Sequence, residues 1–181
     1  MCGIAGLINW PETNLESARR AMEAMAGAMY HRGPDDQAAV AFPEVGAVLG
    51  ATRLAIVDVE HGRQPAANES RRAWAVLNGE IYNHAGLRAE LESRGHRFRS
   101  RSDTEVLSHL YEEQGEAMFE ALEGMYAAAV VDLDSATVLL ARDHAGMKPL
   151  FYAERGSGLA FASDIRALLA ARLVAPEADP F

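Results

Sequence analysis

The chain has 181 residues, 49% apolar and 24% charged, the balance of a globular domain able to bury a core without disulfides. Seventeen basic against 26 acidic side chains leave a net charge of −9, which argues against partners held through phosphates, whether nucleic acid or an anionic membrane. A single cysteine allows no internal disulfide. The N-terminus lacks the basic stretch and apolar length of a secretory signal, and no apolar run nears the ~20 residues of a membrane span. The expected compartment is the reduced cytoplasm.

Residues 3–8 read as a short buried strand. Leu15, Ala18, Met22, Met25, Ala26 and Met29 follow at steps of three and four, one apolar helix face, with Thr13 and Glu16 as a capping box at its start. The methionines read as core filler rather than ligands. The helix closes before a polar Gly-Pro-Asp loop running from His31 to Gln37. Strands are predicted over 38–42, 47–51 and 54–58, an exposed loop over 59–72, and a strand over 73–77 that ends at Asn78-Gly79-Glu80. A helix is predicted over 84–93, with Leu87 and Leu91 four apart. A second opens at Ser102, which pairs with Glu105 as another capping box. Segments 126–132 and 137–141 form one hairpin, and 150–153 and 159–162 another. A last helix spans 164–171, and 176–181 reads as linker. Strands at hairpin spacing with helices grouped between them predict an α+β fold of antiparallel sheets covered by helices.

Cys2 is the sharpest chemical feature. A lone cysteine in an apolar strand is ordinarily an inert small hydrophobe. At position 2, however, removal of Met1 leaves its thiol beside a free α-amine whose pKa of about 7.7–8.0 makes it a usable general base. Gly3 beside it leaves room for a substrate to approach the backbone. A thiol attacking a carbonyl needs donors for the developing oxyanion, and Asn78-Gly79 offers a side-chain amide and a backbone N–H. The same dipeptide is also the commonest type I′ hairpin turn. Arg53 reads either as a solvated strand-edge arginine or as a fork for a carboxylate. Asp103 suits a helix first turn in any case, and with Glu80 it could also bind an ammonium. Together these groups would recognise a free α-amino acid. The six histidines show no metal-ligand spacing, so no metal is assigned. Arg142-Asp143-His144 with Lys148-Pro149 reads as a structural connector, and Arg97, Arg99 and Arg101 as a solvated face.

These pieces occur in a telling order: Met-Cys-Gly-Ile-Ala-Gly, His31-Arg32-Gly33-Pro34-Asp35, Thr52-Arg53-Leu54-Ala55-Ile56-Val57-Asp58, Asn78-Gly79-Glu80-Ile81-Tyr82-Asn83-His84, Ser102-Asp103-Thr104-Glu105, Gly124-Met125-Tyr126-Ala127, and Arg142-Asp143-His144 running on to Leu150. The series resembles the class II glutamine amidotransferase domain, in the branch that opens glutamine-dependent asparagine synthetases, from residue 2 to about 179. It departs from that pattern at Ala38, at Arg101, and at Asp164 with Arg166. The resemblance implies an N-terminal-nucleophile hydrolase fold of two stacked antiparallel sheets flanked by helices. It implies Cys2 as the nucleophile that forms a glutamyl thioester, Asn78 and Gly79 as the oxyanion hole, Arg53 on the glutamine carboxylate, and Glu80 and Asp103 on its amine. It further implies that 1–175 is the glutaminase domain and 176–181 leads toward a synthetase domain binding ATP and magnesium. The glutaminase domain itself would hold no cofactor. L-glutamine and the chain's own synthetase domain are the implied partners, and a homodimer is compatible. Two other readings stand beside this one: a non-catalytic scaffold, and an amidase for a different amide.

Overall fold

Alternation of apolar residues along each strand, with a two-residue period, sorts side chains to opposite faces of a sheet. In the computed structural model, which describes residues 2–11 and 14–177, the strands are β1 (Gly3–Ile8), β2 (Asp36–Phe42), β3 (Ala47–Arg53), β4 (Ala66–Ala67), β5 (Ala73–Ile81), β6 (Gly124–Asp132), β7 (Thr137–Arg142), β8 (Phe151–Arg155) and β9 (Gly158–Ala162). The α-helices are α1 (Leu15–Ala28), α2 (His84–Ser93), α3 (Asp103–Gln114) and α4 (Ile165–Ala170). One sheet has the order β2-β3-β1-β9-β8 and the other β4-β5-β6-β7, with antiparallel pairing throughout.

Three apolar clusters define the layers. Ile4, Leu49, Ala51 and Phe161 of the first sheet meet Val76, Ala127, Ala129 and Val131 of the second, so the sheets stack face to face. The far face of the first sheet, with Ala5, Leu7, Ala160 and Ala162, is covered by Met22, Met25 and Met29 and by Ala167 and Leu168 of α4. The far face of the second, with Ala75, Leu77, Ala128 and Val130, is covered by Leu91 of α2 and by Val106, Leu107 and Leu110 of α3. This is the expected α+β arrangement, with helices outside two stacked sheets.

β1 is central, bonded to β3 on one side and β9 on the other. Its start is pinned by Ser163, whose hydroxyl accepts the Ile4 N–H at 3.0 Å and whose own N–H bonds the Ile4 carbonyl at 2.9 Å. Cys2 immediately precedes this clamped strand.

Several expectations need correction. Residues 54–58 are not a strand. The chain leaves β3 at Arg53 and curls around that side chain, turning Ile56 and Val59 out to 71% and 63% exposure. The segment 59–72 is not simply exposed, because Gln64 and Asn68 are buried and Ala66–Ala67 pairs with β5. Asn78-Gly79 is not a turn, because β5 runs through it and pairs Asn78 with Ala127 and Gly79 with Tyr126. Thr13 lies outside the described residues, and α1 is instead capped by Asn14 and Ser17 in a reciprocal pair. Leu15 is exposed, at the end of the helix face that the methionines bury. Ser102 caps α3, but Glu105 turns away to accept the backbone N–H groups of Arg99 and Ser100, each at 2.7 Å. Gly3 faces the helix layer, where a Cβ would meet the Thr52 hydroxyl at 2.7 Å. Its smallness therefore serves packing rather than substrate approach.

Candidate active site

Strand parity decides which side chains meet between the sheets. Cys2 shares a face of β1 with Ile4, Arg53 shares a face of β3 with Leu49 and Ala51, and Asn78 shares a face of β5 with Val76. All three therefore point into the space between the sheets, at the end where β1 begins and β5 nears its close. Gly3 pairs with Thr52, which sets Cys2 alongside Arg53. The Cys2 thiol is half-buried, with the Leu54 carbonyl 3.9 Å and the Gln64 amide nitrogen 4.0 Å from its sulfur.

Gln64 is the link that the sequence analysis missed. Its carbonyl accepts the Leu77 N–H at 2.7 Å, and its amide donates to the Leu77 carbonyl at 3.1 Å. The buried side chain thus continues the β5 ladder where β4 stops and ties the thiol to the residue before Asn78. Only the polar, loop-like composition of 59–72 was visible from sequence, and it hid this role.

Asn78 is fully buried, and neither its amide nitrogen nor its amide oxygen has a hydrogen-bond partner among the described residues. Such an orphaned amide costs about 1–3 kcal/mol. A Cβ at Gly79 would lie 2.1 Å from the Met125 carbonyl oxygen and 2.7 Å from Tyr126 Cα, so β6 itself demands a glycine there.

Arg53 is neither solvated nor wholly free. Its guanidinium donates to the carbonyls of Val57, Asp58 and Val59 at 2.9, 2.6 and 3.1 Å and so shapes the loop around itself. The Asp58 carboxylate fastens that loop to the approach of α3 by accepting the Arg101 N–H at 2.6 Å, the contact that most depresses its pKa. Arg101 therefore contributes backbone here, and its exposed side chain departs from the family pattern without touching this contact.

Asp103, at the first turn of α3, is buried and accepts the Ile81 N–H at 3.1 Å, one residue beyond Glu80. Burial raises its pKa from its ordinary value, against the opposing pull of that N–H and of His84. Glu80 is exposed at the rim of the same strand. The connector after β7 is structural. Asp143 gathers the N–H groups of Tyr126, Ala145, Met147 and Lys148, which outweigh its burial and lower its pKa. An apolar cleft of about 470 Å³ lies elsewhere, between α1 and strands β2 and β3, and none of these site residues lines it.

A family model described as a glutamine amidotransferase domain matches residues 1–180. The chain belongs to that family. Asparagine synthetase [glutamine-hydrolyzing] 3 of Bacillus subtilis is 41% identical over 172 residues, 94% of this chain and 28% of the relative. Asparagine synthetase B [glutamine-hydrolyzing] of Escherichia coli is 40% identical over 171 residues, 93% of this chain and 30% of the relative. The chain thus spans less than a third of either relative. The glutamine phosphoribosylpyrophosphate amidotransferase of B. subtilis superposes with a TM-score of 0.76 at 23% identity, over 94% of this chain and 44% of that one, which establishes the shared fold. No helix among the described residues is long and apolar enough to cross a membrane.

Proposed function

We propose that this amidotransferase domain hydrolyses L-glutamine to glutamate and ammonia through a thioester on Cys2. The observation that carries the assignment is the placement, on the inward faces of the two sheets, of a half-buried thiol and a fully buried carboxamide that has no hydrogen-bond partner among the described residues. Once Met1 is removed, the Cys2 α-amine accepts the thiol proton as the sulfur attacks the γ-carboxamide carbon. The developing oxyanion is bound by the Asn78 amide and the Gly79 N–H. The proton then passes to the departing nitrogen, which leaves as ammonia. Water adds to the thioester, releases glutamate and restores the thiol. Arg53 holds the substrate carboxylate with the guanidinium N–H groups left over from its loop, and Asp103 with Glu80 holds the ammonium. Both supports are charge-assisted.

The proposal extends to the whole protein. Residues 1–175 serve as the ammonia source and 176–181 as the passage toward a synthetase unit. That unit, with ATP and magnesium, amidates aspartate or a similar carboxylate. Support comes from the names of the relatives, which are glutamine-hydrolysing asparagine synthetases. The reduced cytoplasm fits a free thiol nucleophile.

Intact mass before and after exposure to a diazo-ketone glutamine analogue tests the site. A chain lacking Met1 should gain one adduct on Cys2, and excess glutamine should block it. A chain that lacks Met1 and remains unmodified, both alone and within the full-length protein, would instead favour a scaffold. An adduct that glutamine fails to block would favour a different amide.

A further inference from the structure

We propose that Glu69, His96 and His109 form a binding site for a divalent transition ion of the zinc type, away from the thiol chemistry. The three come from separate elements: the loop before β5, the turn after α2, and the middle of α3. Their sequence separation matches no metal motif, and only the fold brings them together.

The geometry is that of a ligand set. The Nδ1 atoms of His96 and His109 face each other at 3.2 Å. Glu69 Oε1 lies 3.3 Å from His96 Nδ1, and Glu69 Oε2 lies 2.9 Å from His109 Nδ1. Bonds of about 2.0–2.2 Å to nitrogen and carboxylate oxygen place tetrahedral ligands about 3.3 Å apart, close to these separations. Although near His109, Glu69 Oε2 makes no properly directed hydrogen bond and is buried. A cation between the three would satisfy it together with both imidazole lone pairs.

The outer contact at His96 matches as well. His96 Nε2 lies 3.1 Å from Glu113 Oε1, and His109 Nε2 lies 3.7 Å from Glu105 Oε1. Glu113 on the far nitrogen of His96 holds that ring with Nε2–H outward and the Nδ1 lone pair toward the metal, the usual support of a histidine ligand. The Glu105 carboxylate, by contrast, lies too far from His109 Nε2 for a hydrogen bond and leaves it without a partner among the described residues. His109 is fully buried, and Phe98 packs 4.0 Å from its ring, which keeps one wall of the site dry. Glu69 is partly exposed, so the open side offers the fourth position to water. Two imidazoles and one carboxylate suit zinc better than magnesium or calcium, which prefer all-oxygen sites. The bound ion would staple the loop before β5 to α3, the helix whose first turn carries Asp103.

The test uses the Cys2→Ala chain, because a free thiol binds zinc on its own account. After chelator stripping, equilibrium dialysis against buffered zinc should load about one ion per chain. The imidazole nitrogen NMR signals of two histidines, and no others, should shift on loading. His96→Ala and Glu69→Ala should weaken binding at least tenfold, and Glu113→Gln by about tenfold through its hold on His96. Far-UV circular dichroism confirms that the variants fold, and if the ligand variants do not, the NMR signals and Glu113→Gln decide. The competing arrangement is a proton-shared His–His–Glu network. Failure of the Cys2→Ala chain to take up stoichiometric zinc, zinc shifts on other histidines, or unchanged affinity in the folded variants would overturn the metal site in its favour.

Discussion

A buried amide with both polar atoms unbonded among the described residues is a standing cost to the folded state, and at Asn78 the cost falls where the proposed mechanism calls for an oxyanion donor. Replacement by an apolar residue of similar size should therefore leave stability level or higher while removing function. Asn78→Leu is expected to lower glutamine turnover about 10²–10³-fold with no loss in thermal midpoint. A parallel drop in midpoint would mean that the amide has a structural partner instead. Asp103 follows the same logic with a sign that depends on pH. Burial raises its pKa, so the ionised form is disfavoured in the folded chain. Its contribution to stability is fully present at low pH, below the ordinary carboxylate pKa. It is lost as pH rises through the raised value. Asp103→Asn should then melt higher than the parent at neutral pH, with the gap closing on acidification, while KM for glutamine rises at least about thirty-fold. Melting curves across that range would refute this if the variant were less stable throughout. These candidates stand out in the sequence because the chemistry proposed for them is local to short motifs. The orphaned state of Asn78 and the raised pKa of Asp103 depend on what buries them, which no motif records.

At the scale of elements, legibility followed how local each signal was. The strand 3–8, the helix 84–93 and the hairpin of β6 and β7 each show periodicity within their own span, and all were placed correctly or nearly so. The predicted strand at 54–58 failed because its apolar run is overridden by one side chain. Arg53 collects the carbonyls of Val57, Asp58 and Val59, and a chain wrapped round a guanidinium cannot extend. The Asp164–Arg166 departure is explained at this scale too. The pair caps α4 and bonds ionically, and the contact with Arg166 holds the Asp164 pKa down to about 2. Gln64 is the reverse case, a side chain standing in for a strand. Its loss leaves the N–H and the carbonyl of Leu77 without their partner at a buried position. Gln64→Ala should cost about 2–4 kcal/mol and lower the thermal midpoint by roughly 5–10 °C. Turnover should fall as well, since Leu77 adjoins Asn78. An unchanged midpoint would show that Gln64 does not brace β5.

At the scale of the molecule, the proposed site is a joint between sheets: Cys2 enters from the first and Asn78 from the second. Strand order was not legible, because β1 bonds to β9 across most of the chain, and periodicity says nothing of who pairs with whom. Layering came from the family resemblance. The spacing between sheets is set by small residues on β6: Ala129 faces the first sheet, and its neighbour Ala128 faces α3. Both are fully buried, so enlarging either overpacks a core at about 1–3 kcal/mol. The functional consequences should differ. Ala129→Leu pushes the sheets apart and draws the thiol away from the Asn78 amide. A misplacement near 1 Å costs about 10²-fold, so kcat should fall by that order while KM changes little. Ala128→Leu instead displaces α3, which carries Asp103, so KM should rise with kcat largely kept. Steady-state kinetics on the two variants, at a temperature where both remain folded, tests this split. Equal effects on kcat and KM in both would mean that overpacking merely loosens the domain and that sheet spacing does not set the distance from nucleophile to oxyanion hole.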